Sequence, residues 1–236
     1  MSIYILDTET TNNKPPMEIV ELAWSYLQLA EDKFIKKFSF SSYFNPMLDI
    51  SFGAMATHGI IKDMLLKQPE ASTVRKYLPE DMDYLVGHNI IFDWKALGKP
   101  SCKRICTLSL SRALFPKLDS HTLGAMFLFF SPKEDLQTSI AYLKNAHSAV
   151  TDISINTIVL NNLIAVLIER GLLTSSFTLE EFYEVSQDLY LPKILTFGKY
   201  KGVKIKNVPI DYIKWFLQQP EIDEPLELAF KKRLKG

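Results

Sequence analysis

Cysteine is scarce in this sequence, which has only Cys102 and Cys106 among 236 residues. Two thiols cannot form a disulfide framework, and without more cysteines or a nearby histidine they do not make a zinc site. Long apolar runs are also missing, since no stretch approaches the roughly 18–20 apolar residues of a membrane span. The chain enters its first apolar segment, Ile3 to Leu6, without a basic start or a cleavage-like site. We expect a cytoplasmic protein with reduced cysteines, no secretion signal and no membrane association.

Net charge is absent as well, because 27 basic residues balance 27 acidic ones. The balance hides an asymmetry: residues 188–236 hold 10 basic and 6 acidic residues, and residues 1–187 hold 17 and 21. An acidic body with a basic C-terminal segment is compatible with a metal-dependent nuclease and its anionic substrate. It is equally compatible with two unrelated solvated surfaces, so charge alone does not decide the function.

The order of apolar segments predicts the fold class. Three strands are expected first, at residues 3–6, 19–29 and 34–40, followed by strands at 84–86 and 104–108. Helical spacing is found at residues 55–66, 71–78, 92–97, 122–130 with Ser120 as its cap, 136–143 and 153–169 closed by Gly171. Three strands followed by alternating helices and strands indicate an α/β fold with a mixed sheet.

The character of the sequence changes after Gly171. A polar break at residues 174–176 precedes a capping pattern, Thr178 to Glu181, that predicts a short helix. Residues 193–206 contain five lysines and no acid, which predicts a small β-hairpin, and helices are expected at 210–218 and 224–234. We predict two domains, residues 1–175 and residues 176–236, the second being a linker helix with a small basic α+β module.

The stretch ILDTET places two carboxylates, Asp7 and Glu9, two residues apart at the end of the first strand. Residues i and i+2 of a strand share a face, so the two charges point the same way. Like charges at that distance repel and raise each other's pKa unless a cation lies between them. The pair is therefore either a solvated strand end or half of a metal site. The same spacing recurs at residues 81–83 and 221–223, so it is weak evidence by itself.

Two further acids occupy helix starts. Asp93 follows the segment GHNIIF in the first turn of a predicted helix, and Asp152 lies five residues after His147. Ser148 is a plausible N-cap of that long helix. We hypothesise that four acids converge around two divalent cations with His147 beside them; the acids are Asp7, Glu9, Asp93 and Asp152.

The chemistry of phosphodiester hydrolysis explains these residue types. Two metals about 3.5–4 Å apart hold the attacking and leaving oxygens in line and neutralise developing charge. Mg²⁺ and Mn²⁺ prefer carboxylate oxygens to thiolates. A histidine with an ordinary pKa near 6.5 can accept a proton from the attacking water at neutral pH.

Three motifs, Asp7-Thr8-Glu9, His88-Asn89-x-x-Phe92-Asp93 and His147-x-Ala149-x-x-Asp152, resemble in order those of the DEDDh (DnaQ-like) 3′–5′ exonucleases. The resemblance covers about residues 1–170. It implies a ribonuclease H-like fold, with a mixed five-stranded sheet and helices on both faces. It also implies two Mg²⁺ ions, which Mn²⁺ can replace.

The resemblance assigns roles to single residues. Asp7, Glu9 and Asp152 would hold the metals, Asp93 would assist through water, and His147 would be the general base. The backbone of Thr8 and Glu9 would meet the 3′-hydroxyl. The segment AMATHGI, residues 54–60, resembles the loop that lines the terminal-nucleotide pocket, so His58 and Met55 are candidate substrate contacts.

Three functions follow from this resemblance. The first is a 3′–5′ exodeoxyribonuclease acting on DNA 3′ ends and releasing nucleoside 5′-monophosphates. Segments 197–202 and 212–215 resemble the C-terminal module of a bacterial exodeoxyribonuclease of the family, which favours DNA and leaves a protein or DNA partner open for that module. The second is an exoribonuclease similar to RNase T or oligoribonuclease. The third is a non-catalytic nucleic-acid-binding or proofreading-partner protein that kept the fold.

Other notable residues have plainer interpretations. His88 and His121 are expected to order turns or helix starts by hydrogen bonding rather than to bind a ligand. Trp24 and Trp94 suit core packing better than base stacking. The lysines of residues 193–206 could bind phosphates, or they could keep a solvated hairpin edge from pairing with another strand.

Overall fold

The computed structural model of the protein describes residues 1–144, 148–219, 222 and 224–235. The chain divides into two compact units, Met1–Tyr183 (unit 1) and Glu184–Gly236 (unit 2). The predicted domain boundary after residue 175 remains a prediction. Within unit 1, both cysteines are free; Cys106 is buried and Cys102 half-buried.

A mixed sheet forms the centre of unit 1, with the strand order β3-β2-β1-β4-β5. The pairs β1–β2 and β2–β3 are antiparallel, whereas β1–β4 and β4–β5 are parallel. This confirms the predicted five-stranded α/β fold. The strands are β1 (Ile3–Thr10), β2 (Ile19–Ala30), β3 (Lys33–Tyr43), β4 (Tyr84–Gly87) and β5 (Lys103–Cys106).

Helices and short 3-10 segments surround this sheet. The described helices of the chain are α1 (Phe52–His58), α2 (Ile91–Ala96), α3 (Thr107–Leu114), α4 (Leu123–Phe130), α5 (Leu136–Lys144), α6 (Ala149–Glu169), α7 (Leu179–Tyr190), α8 (Ile210–Phe216) and α9 (Glu224–Lys235). The 3-10 segments are Lys62–Leu65, Ala71–Tyr77, Lys133–Asp135 and Ile205–Asn207.

Alternation along β2 places helical segments on both faces of the sheet. The Glu21 carboxylate accepts a hydrogen bond from the backbone N–H of Ala149, the first residue of α6. Trp24, three residues on, donates its indole N–H to the carbonyl of Tyr77 at the end of a 3-10 segment. Because odd and even strand residues point to opposite faces, α6 and the Ala71–Tyr77 segment lie on opposite sides of the sheet.

Helix α6 is the core helix of unit 1. By length and composition alone it could cross a membrane, but half of its apolar stretch is buried in the protein. Its Asn161 side chain bonds both the N–H and the carbonyl of Phe34 at 2.8 and 2.9 Å, which ties the helix to β3. Ser148 caps its start as predicted, accepting from the Thr151 N–H at 3.3 Å. The apolar character of α6 is therefore that of a buried helix.

Three details of the predicted helices and strands are wrong. The segment 55–66 is not one helix, because Gly59 takes a left-handed φ of 72° and ends α1. The strand expected at 104–108 ends at Cys106, and Thr107 already begins α3. Thr122 rather than Ser120 caps α4, its hydroxyl accepting from the Ala125 N–H at 3.3 Å. At Gly59 and Thr122 a local hydrogen bond outweighed the apolar pattern. Strand β5 ends at Cys106 because its partner β4 ends at Gly87.

Unit 2 has a small apolar core of its own, formed mainly by Leu195, Ile205, Val208, Ile213 and Phe230. The predicted hairpin is reduced to a single antiparallel bridge between Ile194 and Lys204. The predicted capping pattern before α7 is confirmed in unit 1. There Thr178 accepts from the Glu181 N–H, and the Glu181 carboxylate accepts from the Thr178 N–H.

We expect Gly87→Ala to destabilise unit 1 by about 1–3 kcal/mol, because a small-to-large change in a packed site forces neighbours to shift. A Cβ at Gly87 would lie 2.6 Å from Ile90 Cδ1 and 3.2 Å from the Leu6 carbonyl oxygen. Urea unfolding followed by circular dichroism measures the change. Gly53→Ala is the matched control, since a Cβ there meets no described atom within 4 Å. Equal midpoints for Gly87→Ala and the unmodified chain would contradict this prediction.

Candidate active site

The end of β1 presents two acids on one face of the sheet. Strand β4 pairs with β1 only at residues 3–5, so the β4 side of β1 is open beyond Ile5. On its other side β1 stays paired with β2, with Asp7 opposite Ala23 and Glu9 opposite Glu21. Asp7 and Glu9 therefore share one face at a strand end that is held on a single side.

Asp93 closes the open side of β1. After β4 the chain turns at Asn89, whose φ is 68°, and enters α2. This turn buries Asp93, which is only 3% exposed, against the end of β1. Its Oδ1 accepts hydrogen bonds from the Thr8 N–H at 3.0 Å and from the Thr8 hydroxyl at 2.7 Å. Asp93 thereby fixes the backbone between Asp7 and Glu9.

Asp152 joins the two acids of β1 from the first turn of α6. One carboxylate oxygen each of Asp7, Glu9 and Asp152 lies within 4.8 Å of the other two. Residues separated by about 145 positions in the chain thus meet at one point. The structure brings together four of the five residues of the sequence hypothesis. The fifth, His147, lies outside the described residues.

Crowding and burial disfavour the charged forms of these acids. Burial first, and then the charges of Asp93 and Asp152, raise the pKa of Asp7 well above its ordinary value. Burial and Asp152 raise the pKa of Glu9 to about 8. Burial raises the pKa of Asp93 to about 7, although its hydrogen bonds act in the opposite direction. Such a group of carboxylates is stabilised by cations, and its oxygen donors fit hard divalent ions such as Mg²⁺ or Mn²⁺.

Sequence reasoning missed a fifth carboxylate, Glu21. It is 2% exposed and accepts the Ala149 N–H at 3.2 Å, which couples β2 to the start of α6. Burial raises its pKa, the Ala149 bond lowers it, and Asp152 raises it. The observed register of the β1–β2 pair sets Glu21 directly opposite Glu9, and no local pattern in the sequence signals this. Glu21 therefore both positions α6 and adds negative charge to the site.

A cavity of about 450 Å³ opens beside the acids and is lined by Thr8, Glu9, Asn12, Thr57, His58 and Phe92 among others. His58 uses both ring nitrogens internally: Nδ1 accepts from the Ile60 N–H, and Nε2 donates to the Thr10 carbonyl. Burial lowers its pKa, although the Thr10 bond acts in the opposite direction. Because Nδ1 accepts a hydrogen bond, the ring is neutral. Met55 is not among the described lining residues; it packs against the apolar cluster of Val20, Ile50, Ile60 and Leu65. His58 thus offers a ring surface to the cavity.

His88 acts within the protein, as its sequence context predicts. Its Nδ1 lies 3.0 Å from the Thr107 hydroxyl and its Nε2 lies 2.9 Å from the His121 carbonyl. Thr107 also bonds the Asn156 side chain of α6 at 2.7 Å. Burial lowers the pKa of His88 to about 4. His88 therefore links its own turn to Thr107 and to the backbone of His121, and it stays neutral.

Comparison with known proteins agrees with this geometry. The family model RNase_T, described as an exonuclease model, matches residues 4–160, about two thirds of the chain. The chain belongs to this exonuclease family. It is therefore a phosphodiester hydrolase of a family that uses divalent metals, and the non-catalytic alternative does not hold.

Relatives of this exonuclease include Exodeoxyribonuclease 10 of Escherichia coli, 27% identical over 98% of each chain. A solved structure titled Exonuclease X in complex with 5′ overhanging duplex DNA is 25% identical, with a TM-score of 0.56 over 78% of this chain and 99% of the other. An E. coli ExoI–ssDNA complex, 16% identical with a TM-score of 0.52, covers 72% of this chain and 40% of its own, and supports the fold. A shorter model named for quorum-sensing-regulated virulence factors, QSregVF_b, matches residues 189–223.

Proposed function

We propose that the protein is a 3′–5′ exodeoxyribonuclease that releases nucleoside 5′-monophosphates from DNA by two-metal hydrolysis with Mg²⁺. The convergence of carboxylate oxygens from Asp7, Glu9 and Asp152 within 4.8 Å, beside a cavity of about 450 Å³, carries this proposal. Two divalent cations supply charge neutralisation at the scissile phosphate when they are bound. The relatives named for exodeoxyribonuclease activity and solved with DNA support DNA as the substrate.

The acids divide into two groups in this proposal. Asp7, Glu9 and Asp152 hold the cations directly, because their oxygens are close enough to share ions. Asp93 holds the strand end in place through Thr8 and assists metal binding through water. Glu21 keeps the first turn of α6, and with it Asp152, against β2. The directly binding carboxylates are thus each supported by a second interaction of the fold.

The cavity receives the terminal nucleotide in this proposal. Thr8, Glu9 and His58 line it, and the neutral ring of His58 packs against the sugar or base. The Thr8 N–H already donates to Asp93, so a 3′-hydroxyl would share this donor with Asp93 or use the neighbouring Glu9 backbone. Met55 does not touch the nucleotide in this proposal. It supports the segment that carries His58 by packing against the apolar cluster that includes Ile60.

The test compares hydrolysis of matched DNA and RNA oligomers carrying a 5′ label, with Mg²⁺ and with EDTA. A 3′–5′ exodeoxyribonuclease gives a ladder of labelled DNA products that shorten with time, and no cleavage in EDTA. Faster hydrolysis of the RNA would favour the exoribonuclease alternative. Immediate release of a labelled mononucleotide would show the opposite polarity and overturn the proposal.

His147 is proposed as the general base that takes the proton of the attacking water. Of the other histidines, His58 and His88 use both ring nitrogens in internal hydrogen bonds. We expect His147→Asn to lower kcat by about 10²–10⁴-fold, the usual contribution of a general base. In the unmodified chain we expect kcat to increase with pH as this histidine loses its proton. The variant should lack this increase. An increase of equal size in both proteins would contradict the assignment.

A further inference from the structure

Unit 2 carries a connected group of five aromatic rings, the aromatic face, formed by Phe197, Tyr200, Tyr212, Trp215 and Phe216. Neighbouring centroids lie 4.8 to 6.1 Å apart. On its inner side Phe216 contacts Phe230 of the unit 2 core at 5.6 Å. This contact anchors the aromatic group on the core of unit 2.

Two of these rings are exposed to solvent. Trp215 is 52% exposed and Phe197 is 42% exposed. The other two tryptophans of the chain donate their indole N–H groups to carbonyls, Trp24 to Tyr77 and Trp94 to Pro100. Within the described residues the indole N–H of Trp215 has no such partner. Trp215 is therefore presented to solvent and does not serve as a core residue.

Positive charge accompanies the aromatic face. Residues 197–216 contain five lysines and one acid, Asp211. Lys199 and Lys201 are exposed, and Lys199 Nζ lies 5.6 Å from the ring centroid of Tyr200. Neither lysine forms an ion pair in the described part of the chain. Their charges remain available to an anion.

The loop between the two lysines has a defined shape. Gly198 has a left-handed φ of 68°, and a Cβ there would lie 2.7 Å from the Tyr212 hydroxyl. The Lys201 N–H donates to the Gly198 carbonyl, and the Gly202 N–H donates to the Leu195 carbonyl. The loop is thus closed on itself and held close to Tyr212. The backbone that carries Phe197 and Lys199, on either side of Gly198, is therefore held by these hydrogen bonds.

We propose that the aromatic face binds a single-stranded segment of DNA, with bases stacking on Trp215 and Phe197 and phosphates meeting Lys199 and Lys201. Exposed aromatic rings interleaved with cations are the arrangement by which proteins hold single strands without sequence preference. Protein interfaces are instead depleted of lysine. The choice of DNA rests on the proposed function. Because the face is tethered to the nuclease, it raises the local concentration of long substrates.

Binding is tested on the full chain by fluorescence anisotropy of a labelled oligothymidylate in EDTA, where no hydrolysis occurs. We expect Trp215→Ala to weaken binding by at least about fivefold, the weak end of what one lost base stack costs. Trp215→Tyr retains a stacking ring and recovers most of the affinity. The double variant Lys199→Ala/Lys201→Ala also weakens binding, and it lowers the salt dependence by about 1.4 in log–log slope for two lost phosphate contacts.

Matched controls are available in unit 1. Phe38 is 61% exposed on β3, and Lys33 and Lys37 are exposed on the same strand. Phe38→Ala and Lys33→Ala/Lys37→Ala are expected to bind the oligomer like the unmodified chain. Circular dichroism verifies that each variant is folded. If Trp215→Ala unfolds unit 2, the double variant Lys199→Ala/Lys201→Ala still tests the proposal.

Hydrolysis separates this inference from the proposed function. With Mg²⁺, Trp215→Ala should raise KM for long DNA severalfold and leave kcat/KM for a trinucleotide unchanged. If the unmodified chain degrades DNA while both unit 2 variants bind and degrade it normally, the binding face is refuted and the nuclease proposal stands. Tighter binding of an RNA oligomer, or binding lost equally in the controls, would also refute it. Failure of the unmodified chain to degrade any DNA would refute the proposed function alone.

Discussion

Replacing Asp7 by asparagine is expected to lower the rate of DNA hydrolysis by roughly a thousandfold, the order seen when one preorganised charge-stabilising group is lost. Asparagine has nearly the shape of aspartate but carries no charge. Asp7 is flanked by Asp93, Asp152 and Glu9, and all three charges act on it. Removing the charge at the centre of the group weakens its hold on cations more than it disturbs the fold.

The measurement is the initial rate of oligomer shortening as a function of Mg²⁺ concentration. Asp49→Asn is the matched control, because Asp49 is a fully exposed acid that pairs only with Lys62 among the described residues. We expect the control to match the unmodified chain at every Mg²⁺ concentration. An Asp7→Asn variant with a normal rate at low Mg²⁺ would place the metal centre elsewhere.

The metal-free protein is expected to lose stability as the pH rises from about 5 to 8. The pKa of Asp93 is raised to about 7 and that of Glu9 to about 8, from ordinary values of 3.8 and 4.5. Below about pH 3 both acids are protonated in the folded and the unfolded chain. As the pH rises the unfolded chain releases these protons first, so unfolding becomes more favourable until the folded pKa values are passed. The loss should be of the order of a few kcal/mol.

Thermal unfolding in EDTA between pH 5 and pH 8.5 measures this loss. Added Mg²⁺ should raise the Tm most at the alkaline end, because cations stabilise the deprotonated acids. Asp7→Asn should flatten the pH dependence and raise the Tm of the metal-free protein at pH 8, whereas Asp49→Asn should change neither. A metal-free Tm that increases toward pH 8 would show that the acids are not crowded in the folded chain.

Much of the site could be predicted from sequence because its parts are local patterns. The strand period places Asp7 and Glu9 on one face, and the cap at Ser148 places Asp152 in the first turn of α6. Convergence of these distant elements does not follow from any local pattern. It was a hypothesis from the residue types, which the resemblance to known exonucleases strengthened, and the structure brings the four acids together.

Other features could not be read from the chain because they depend on pairing between segments. Glu21 looks like an ordinary strand residue until the register sets it opposite Glu9 and next to Ala149. The strand expected to reach Leu108 ends at Cys106, because β4 offers only four residues to pair with. His88 was correctly expected to be structural, but its partners, Thr107 and the His121 carbonyl, appear only in the fold.

The bond from the Thr8 amide to the buried Asp93 has a spectroscopic consequence. That amide lies beyond the last residue of β1 that pairs with β4, so its hydrogen-bond partner is the Asp93 carboxylate and not a strand carbonyl. Its hydrogen should exchange slowly with deuterium only while α2 rests against the strand end. The amide resonance of Thr8 in an NMR spectrum would therefore report whether α2 is packed against the end of β1, even in a variant without activity.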